Sequence, residues 1–299
     1  MCKYWLMSAS SPEIGRTVDV RGIATNYHDH GDGPPVLLLH GSGPGVSAWA
    51  NWRTVLPILS RHLRVLAPDI LGFGYTERPP DTTYRTEAWL EHLLGFLDAA
   101  GLSKFSVVGN SFGGALALRL AVAVPERVDR MVLMGSVGVH FPITPGLEAV
   151  WGFEPSLDAM RRLLDVFTHD TAHVDGDLAH LRLAAATRPG VQEAYAKMFP
   201  APRQHMVDTL ALDEAEITAL PHRALIVHGR DDRVIPLSNS LRLLQLIKNS
   251  QLHVFGRCGH WVQIEHGPDF AALVTNFLTQ PPAHAEQATQ HGTAPITLG

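Results

Sequence analysis

The chain has 299 residues, of which 45% are hydrophobic and 18% charged, and its formal net charge at pH 7 is −5. This composition can bury a large core, and it excludes the disordered and fibrous classes of protein. Acidic and basic residues are interleaved, so the chain offers no basic stripe to a phosphate backbone, which argues against a nucleic-acid partner.

Short, almost continuously hydrophobic runs alternate along the chain with longer stretches of helical period. Strands that are covered on both faces have this character. We predict six of them, at 35–40, 64–69, 105–110, 130–135, 224–229 and 252–256. Helices are predicted between them, one closed by Gly101 and another by Pro125. The order of elements predicts an α/β fold with a mostly parallel, doubly wound sheet.

Residues 136–222 interrupt this alternation, because they contain helical sequence without a strand signal. We expect them to form a helical cap over the functional edge of the sheet, inserted between core segments at 11–135 and 223–279. Residues 1–10 and 280–299 are expected to be flexible tails, the second because it is rich in Pro, Ala, Gln and Thr.

The cysteine content and the hydropathy indicate a compartment. The two cysteines, Cys2 and Cys258, fit a reducing environment better than a disulfide framework. No apolar run reaches the ~18 residues that span a bilayer, and the first ten residues are too short and too interrupted for a secretory signal. We therefore expect a cytoplasmic protein.

The stretch GNSFG at 109–113 places Ser111 between two glycines, where a predicted strand gives way to a predicted helix. A G-x-S-x-G pattern in this context is typical of a sharp, strained turn that exposes a nucleophilic serine. The N–H of Phe112, at the start of the helix, would point to a developing oxyanion. Small residues also gather at ordinary strand-to-helix turns, so the pattern alone leaves both interpretations open.

A nucleophilic serine needs a base, and the base needs an acid to orient it. In hydrolases with this motif the acid and then the histidine follow later strands. The stretch HGRDDRVIP offers the pair Asp231 and Asp232, and GRCGHW offers His260 on a glycine-bracketed loop. His260 is the predicted base, and one of the two aspartates is the predicted acid.

The glycine-rich stretch HGSGPG follows the first predicted strand. In lipases and esterases a loop at this place supplies the second oxyanion donor. We predict that the Ser42 N–H has this role, that Gly43 lets the substrate approach, and that His40 packs beneath the loop. Cys258, which has no strained turn of its own, is interpreted as pocket lining.

No group of His, Cys and carboxylate residues has the spacing of metal ligands, and no phosphate-binding loop occurs. The sequence therefore predicts neither a metal nor an organic cofactor. The expected partner is a small-molecule substrate.

Several stretches together resemble the meta-cleavage-product hydrolases of aromatic degradation, a family with the α/β-hydrolase fold, and within it most of all the 2-hydroxymuconate-semialdehyde hydrolases. They are HGSGPGVSAWANW, APDILGFGYTERP, GNSFGGALAL, LMGSVGVHFPITPGLEAVWG and LHVFGRCGHWVQIEH. The resemblance covers roughly residues 11–279. It implies hydrolysis of a carbon–carbon bond of 2-hydroxymuconate semialdehyde or a small-alkyl analogue to 2-hydroxypenta-2,4-dienoate and a short acid such as formate. It also implies a homo-oligomer.

The resemblance implies roles for individual positions. Ser111, Asp232 and His260 match the catalytic triad, which selects the second aspartate. The matching substrate-binding positions are Asn51, Asn110, Phe167, Arg188 and Trp261. Arg188 is expected to grip the substrate carboxylate with its planar fork, although a solvated surface arginine is the alternative. Asn110 could instead cap its turn, and Trp261 could fill the core.

Three β-branched residues match the wall that faces the leaving acyl end: Val137, Val207 and Ile235. Such side chains are stiff, so we expect hydrogen, methyl or a small alkyl group there, and poor turnover with phenyl. Alternatively, these residues only pack the core and the cap sets specificity.

Other functions are compatible with the same residues. A carboxylesterase on this fold would use the same triad, and a non-catalytic small-molecule receptor can retain one. A haloalkane dehalogenase or epoxide hydrolase is disfavoured, because those enzymes place an aspartate where Ser111 stands.

Overall fold

Eight strands form a single sheet in the computed structural model, which describes residues 11–170 and 176–280. They are β1 (Arg16–Val20), β2 (Ile23–His30), β3 (Pro35–Leu39), β4 (Arg64–Pro68), β5 (Phe105–Asn110), β6 (Val128–Met134), β7 (Arg223–Gly229) and β8 (Ser250–Phe255). Their order across the sheet is β1-β2-β4-β3-β5-β6-β7-β8. The tails expected at 1–10 and 280–299 lie outside the described residues, except for Gln280.

The six predicted strands correspond to β3–β8, which pair in parallel. The predicted α/β class and mostly parallel sheet are therefore confirmed. β1 and β2 form an antiparallel hairpin that pairs with the outer side of β4, and these two strands were not predicted. β2 reads IATNYHDH, and its polar residues hide it from a search for continuous hydrophobic runs.

Thirteen helices complete the described fold. They are α1 (Ala48–Trp52), α2 (Leu56–Leu59), α3 (Thr86–Ala99), α4 (Phe112–Ala123), α5 (Pro145–Trp151), α6 (Leu157–Phe167), α7 (Gly176–Ala186), α8 (Val191–Met198), α9 (Gln204–Leu210), α10 (Glu214–Ala219), α11 (Leu237–Leu246), α12 (Val262–Glu265) and α13 (Gly267–Thr279). As predicted, α3 is followed by a left-handed Gly101 (φ +67°), and α4 ends before Pro125.

Alternate residues of the central strands enter two separate apolar clusters, one on each face of the sheet. Leu37 and Leu39 pack with α3, α4 and α11, whereas Val36 and Leu38 pack with α1, α2 and α13. A strand buried on both faces has no polar side, which explains the continuous hydrophobic runs.

Six helices, α5–α10, lie between the neighbouring strands β6 and β7. The chain leaves the core near Gly138 and returns near Leu212, and the Leu212 N–H donates to the Gly138 carbonyl at 3.0 Å. Arg119 of α4 donates to the carbonyls of Thr209 and Ala211, at 2.6 and 3.1 Å. The two ends of this insertion are thus held together against the helix that follows Ser111.

None of the helices within residues 11–170 and 176–280 is both long enough and apolar enough to cross a membrane.

Candidate active site

Ser111 occupies a strained turn between β5 and α4. Its backbone has φ 55° and ψ −115°, a conformation that is costly for a residue with a side chain. The flanking glycines permit the turn: a methyl group on Gly109 would meet the Gly113 backbone, and one on Gly113 would meet the Leu39 carbonyl. The local geometry is that of a serine presented at the carboxyl edge of a parallel sheet.

His260 and Asp232 form a buried hydrogen-bonded pair. Nδ1 of His260 lies 2.7 Å from Oδ2 of Asp232, and both side chains are at most 3% exposed. The other carboxylate oxygen accepts the N–H groups of Val234 and Ile235, at 2.7 and 2.9 Å. Burial alone would raise the pKa of Asp232, but His260, His228 and the Ile235 N–H lower it below its ordinary value. The carboxylate is therefore ionised at neutral pH and can orient an imidazole.

Asp231, the neighbouring aspartate, points elsewhere. It contacts Arg230 at 3.3 Å and His169 at 3.4 Å, and its side chain is 32% exposed. The structure brings Asp232 to His260, and it does not bring Asp231 there.

One cavity joins the predicted catalytic residues to the helical insertion. Its lining contains the predicted residues Ser42, Gly43, Asn51, Asn110, Ser111, Phe167, His260 and Trp261. The rest of the lining was not predicted: Gly41, Val46, Ala50, Arg53, Leu147, Val150, Leu178, Arg182, Val234, Gln263 and Ile264. The predicted serine and histidine thus face one enclosed space.

Residues of the insertion hold the glycine-rich loop. The Trp151 indole N–H donates to the Ser42 hydroxyl at 2.9 Å, and the Tyr195 hydroxyl lies 2.9 Å from the Ser42 carbonyl oxygen. Below the loop, buried His40 accepts the Ile70 N–H at 3.0 Å, and burial lowers its pKa to about 4. The predicted packing of His40 beneath the loop is confirmed.

Phe112 is the first residue of α4, so its N–H has no acceptor within the helix. Its ring is buried and packs edge-on against Trp89, with 4.8 Å between centroids. The ring therefore serves the core, and the N–H is the group that faces the start of the turn.

Two arginines line the cavity, Arg182 and Arg53, and Arg188 does not, so the prediction for Arg188 is corrected. Arg188 donates to the Gly74 carbonyl at 2.9 Å and lies over the Tyr75 ring at 3.8 Å, away from the cavity lining. Arg182, on α7, which ends at Ala186 before Arg188, is 8% exposed and lines the cavity. The sequence carried no distinct signal for it, because an arginine in a helical stretch such as HLRLAAA can equally be solvated.

Burial lowers the pKa of Arg182 to about 10, with Arg53 also lowering it and Glu13 opposing. The guanidinium is therefore still charged at neutral pH. Its Nη2 donates to the Pro44 carbonyl at 3.2 Å, and no carboxylate of the described residues lies within ion-pair distance of it. A buried cation of this kind favours an anionic ligand.

Two amide side chains in the lining carry free polar atoms. Asn51 Oδ1 accepts the Gly41 N–H at 3.4 Å, while its Nδ2 is buried without a partner among the described residues. Gln263 donates to the Asn51 carbonyl at 3.3 Å, and its Oε1 is likewise buried without a partner among the described residues. Asn110 donates to the Met134 carbonyl at 3.4 Å, so it supports the turn and also lines the cavity.

The predicted acyl-end wall is corrected in a similar way. Val137, Val207 and Ile235 are completely buried and do not reach the lining. They belong to the same apolar cluster as Leu147, Val150 and Val234, which do line the cavity. The three predicted residues thus lie behind the observed wall.

Cys258 is also corrected, because it is fully buried in the core on the α13 side and does not line the cavity. Burial, with Glu265 and Asp232 nearby, raises the pKa of its thiol far above the ordinary range, which argues against a nucleophilic role. Within the part of the chain that the structure describes, no group of three His, Cys, Asp or Glu residues could hold a metal.

Comparison with known proteins places the chain among enzymes. The family model described as "alpha/beta hydrolase fold" matches residues 34–267. A 2-hydroxy-6-oxo-2,4-heptadienoate hydrolase of Pseudomonas putida is 60% identical, over 91% of this chain and 99% of the relative. A 2-hydroxymuconate semialdehyde hydrolase of Pseudomonas sp. strain CF600 is 57% identical, over 92% and 98%.

A solved structure agrees with this placement. A mutant meta-cleavage product hydrolase from Pseudomonas fluorescens IP01, complexed with acetates, superposes with a TM-score of 0.89 at 53% identity. The match covers 90% of this chain and 98% of that one. By sequence and by fold, the chain belongs to the meta-cleavage-product hydrolases of the α/β-hydrolase fold.

Proposed function

We propose that this enzyme hydrolyses the carbon–carbon bond of 2-hydroxymuconate semialdehyde or of a small-alkyl analogue in meta-cleavage aromatic degradation. Water is consumed, and the products are 2-hydroxypenta-2,4-dienoate and a short carboxylic acid, which is formate for the unsubstituted semialdehyde. Relatives at 57–60% identity are named for the semialdehyde and for the 2-hydroxy-6-oxo-2,4-heptadienoate substrate.

The catalytic roles follow from the geometry around Ser111. His260 takes a proton from the serine hydroxyl or from water, while Asp232 holds its Nδ1 at 2.7 Å and stabilises the imidazolium that forms. The N–H groups of Ser42 and Phe112 stabilise the oxygen of the attacked carbonyl as negative charge develops there.

One observation carries the choice of substrate: the cavity that contains Ser111 and His260 also contains the buried cation Arg182, which has no carboxylate partner among the described residues. The proposed substrate ends in a planar carboxylate, which a guanidinium fork can bind through two parallel hydrogen bonds. The free amide atoms of Asn51 and Gln263 offer a donor and an acceptor for the adjacent 2-hydroxy or 2-oxo oxygen. A neutral ester would leave the guanidinium uncompensated, which disfavours a general carboxylesterase.

The decisive experiment follows the visible absorbance of ring-fission products mixed with the purified protein. We expect rapid loss of colour with the unsubstituted and methyl products. Ser111→Ala should slow it by roughly 10³- to 10⁶-fold, whereas the exposed Ser103→Ala control should behave as wild type. Hydrolysis of neutral esters with no loss of colour would indicate the esterase, and no turnover of either class would indicate the receptor.

Three further proposals accompany this function. Residues 136–222 act as a cap, which is supported by the position of Phe167 and Arg182 on the cavity lining. The chain forms a homo-oligomer, as the family resemblance implies, and works in the cytoplasm, as its cysteine content and hydropathy indicate. Light scattering of the purified protein and cell fractionation test the last two.

A further inference from the structure

A half-buried carboxylate at the end of α12, that of Glu265, joins the loop of His260 to the end of α6. Its Oε2 accepts the Gly259 N–H at 2.7 Å, and its Oε1 accepts the N–H groups of His169 and Asp170, at 2.8 and 3.0 Å. Hydrogen bonds from N–H groups to an ionised carboxylate are shorter and stronger than those to neutral acceptors. Gly259 immediately precedes His260, so the carboxylate holds the peptide that leads into the base.

The same two segments also meet directly. The Phe167 carbonyl accepts the N–H groups of His260 and Trp261, at 2.8 and 3.2 Å, and the Phe167 ring stacks on Trp261 at 4.5 Å. A methyl group on Gly259 would lie 2.7 Å from the Phe167 oxygen and 2.9 Å from the His169 nitrogen, closer than real contacts permit. The two backbones can therefore approach this closely only because residue 259 is glycine.

The end of α6 is bonded to the loop of the acid as well. Arg233, which follows Asp232, donates to the Thr168 carbonyl at 2.8 Å and to the Asp165 carbonyl. The immediate neighbours of both His260 and Asp232 are thus attached to residues 165–170. This segment is a common support for the two loops that must keep the acid and the base in register.

We propose that Glu265 is a positioning residue, which fixes the backbone before His260 against the end of α6 so that the imidazole keeps its place between Asp232 and Ser111. Glu265 does not line the cavity, so it acts through His260 and not on the substrate. The proposal rests on the serine-hydrolase mechanism given above. Rates depend steeply on such placement, because a displacement of about 1 Å can cost about 100-fold.

Two variants test the role. Glu265→Gln keeps the shape and removes the charge, and Glu265→Ala removes all three hydrogen bonds. We expect kcat to fall about 10- to 100-fold in the alanine variant and less in the glutamine variant, with KM changed by less than about threefold. Asp269→Asn, which neutralises an exposed carboxylate four residues further on, is the matched control and should leave both constants unchanged.

A second readout separates positioning of His260 from support of the cap. A small phosphonofluoridate reacts with an activated serine and does not need the anion subsite, so its rate of labelling Ser111 should fall in parallel with kcat. Labelling at the wild-type rate, with or without a raised KM, would overturn the proposal. If the alanine variant fails to fold, the glutamine variant supplies both readouts. Because labelling does not depend on the substrate, a failed substrate assignment would leave this result interpretable.

Discussion

Asp231 and Asp232 are adjacent in the sequence but differ in every contact that matters for catalysis. Asp232 is buried against His260, whereas Asp231 contacts Arg230 at the surface. We expect Asp232→Asn to lower kcat by on the order of 10⁴-fold, because the imidazole loses its orienting charge. Asp231→Asn should be mild. Steady-state kinetics of the two variants decide the matter, and the reverse ranking would show that the acid is misplaced by one residue.

The two arginines of α7 and its C-terminal turn form a second matched pair. Arg182→Gln should lower kcat/KM for the anionic substrate by about 10- to 100-fold, as expected for the loss of hydrogen bonds to a charged group. Arg188→Gln, which removes a contact outside the cavity, should stay within about threefold of wild type. Stopped-flow spectra of substrate binding provide the measurement. Unaltered binding in Arg182→Gln would refute its role as the anion subsite.

Among the individual site residues, the sequence predicted those that lie at fixed offsets from a motif. Ser111, Asp232 and His260 each follow a strand that a hydrophobic run reveals, so their meeting at one edge of the sheet could be anticipated. Arg182 and Arg188 are six residues apart in helical sequence, and only the packing of α7 decides which one turns inward. Motif spacing carries no such information inside the insertion.

Among the elements, α3 and β2 share a buried histidine with a testable effect on stability. His92 Nε2 lies 2.9 Å from the Thr25 hydroxyl, and burial lowers its pKa to about 4 from an ordinary 6.5. Between these pH values the unfolded chain binds a proton that the folded chain does not. The contribution of neutral His92 to the free energy of unfolding is therefore complete above pH 6.5, and it is lost as the pH falls toward 4.

We expect His92→Gln to reduce the loss of unfolding free energy between pH 7 and pH 4.5 by about 2 kcal/mol. Urea unfolding at the two pH values measures the difference. His205→Gln, at an exposed position on α9, is the control and should leave the difference as in wild type. An unchanged pH dependence in the His92 variant would contradict the assignment.

The strands could be predicted from the sequence where both of their faces are buried. The parallel strands read as continuous apolar runs because both of their faces are covered, and α3 and α4 ended where Gly101 and Pro125 indicated. The hairpin of β1 and β2 was missed because many of its residues are exposed or only partly buried and include charged and polar side chains. Its pairing with β4 is a long-range contact that local sequence does not encode.

The breadth of substrates is a property of the whole molecule, because core and insertion share the cavity. Leu147 and Val150 of α5 line it together with Val234 of the acid loop. Overpacking costs ~1 to 3 kcal/mol, so phenyl at the acyl end should reduce kcat/KM roughly five- to over a hundredfold relative to hydrogen or methyl. Equal efficiency on the phenyl and unsubstituted products would contradict the hypothesis that the lining admits only small groups at the acyl end.

A matched pair of variants locates the wall. Leu147→Ala should raise the efficiency on the phenyl product, since it removes bulk from the lining, whereas Val137→Ala lies behind the lining and should not. Kinetics on the unsubstituted, methyl and phenyl products measure the ratio. If turnover of the phenyl product rises in Val137→Ala alone, residue 137 determines the substrate preference and Leu147 does not.

The hydrogen bond that joins the two ends of the insertion has an evolutionary consequence. Because Leu212 bonds to Gly138, the excursion between them begins and ends at one point on the core, and the cost of closing such an excursion rises only slowly with its length. Helices could be exchanged, lengthened or deleted there without disturbing the register of β6 and β7. A lineage of such enzymes can thus change its range of substrates through the insertion, as long as residues 165–170 keep their contacts with the acid and base loops.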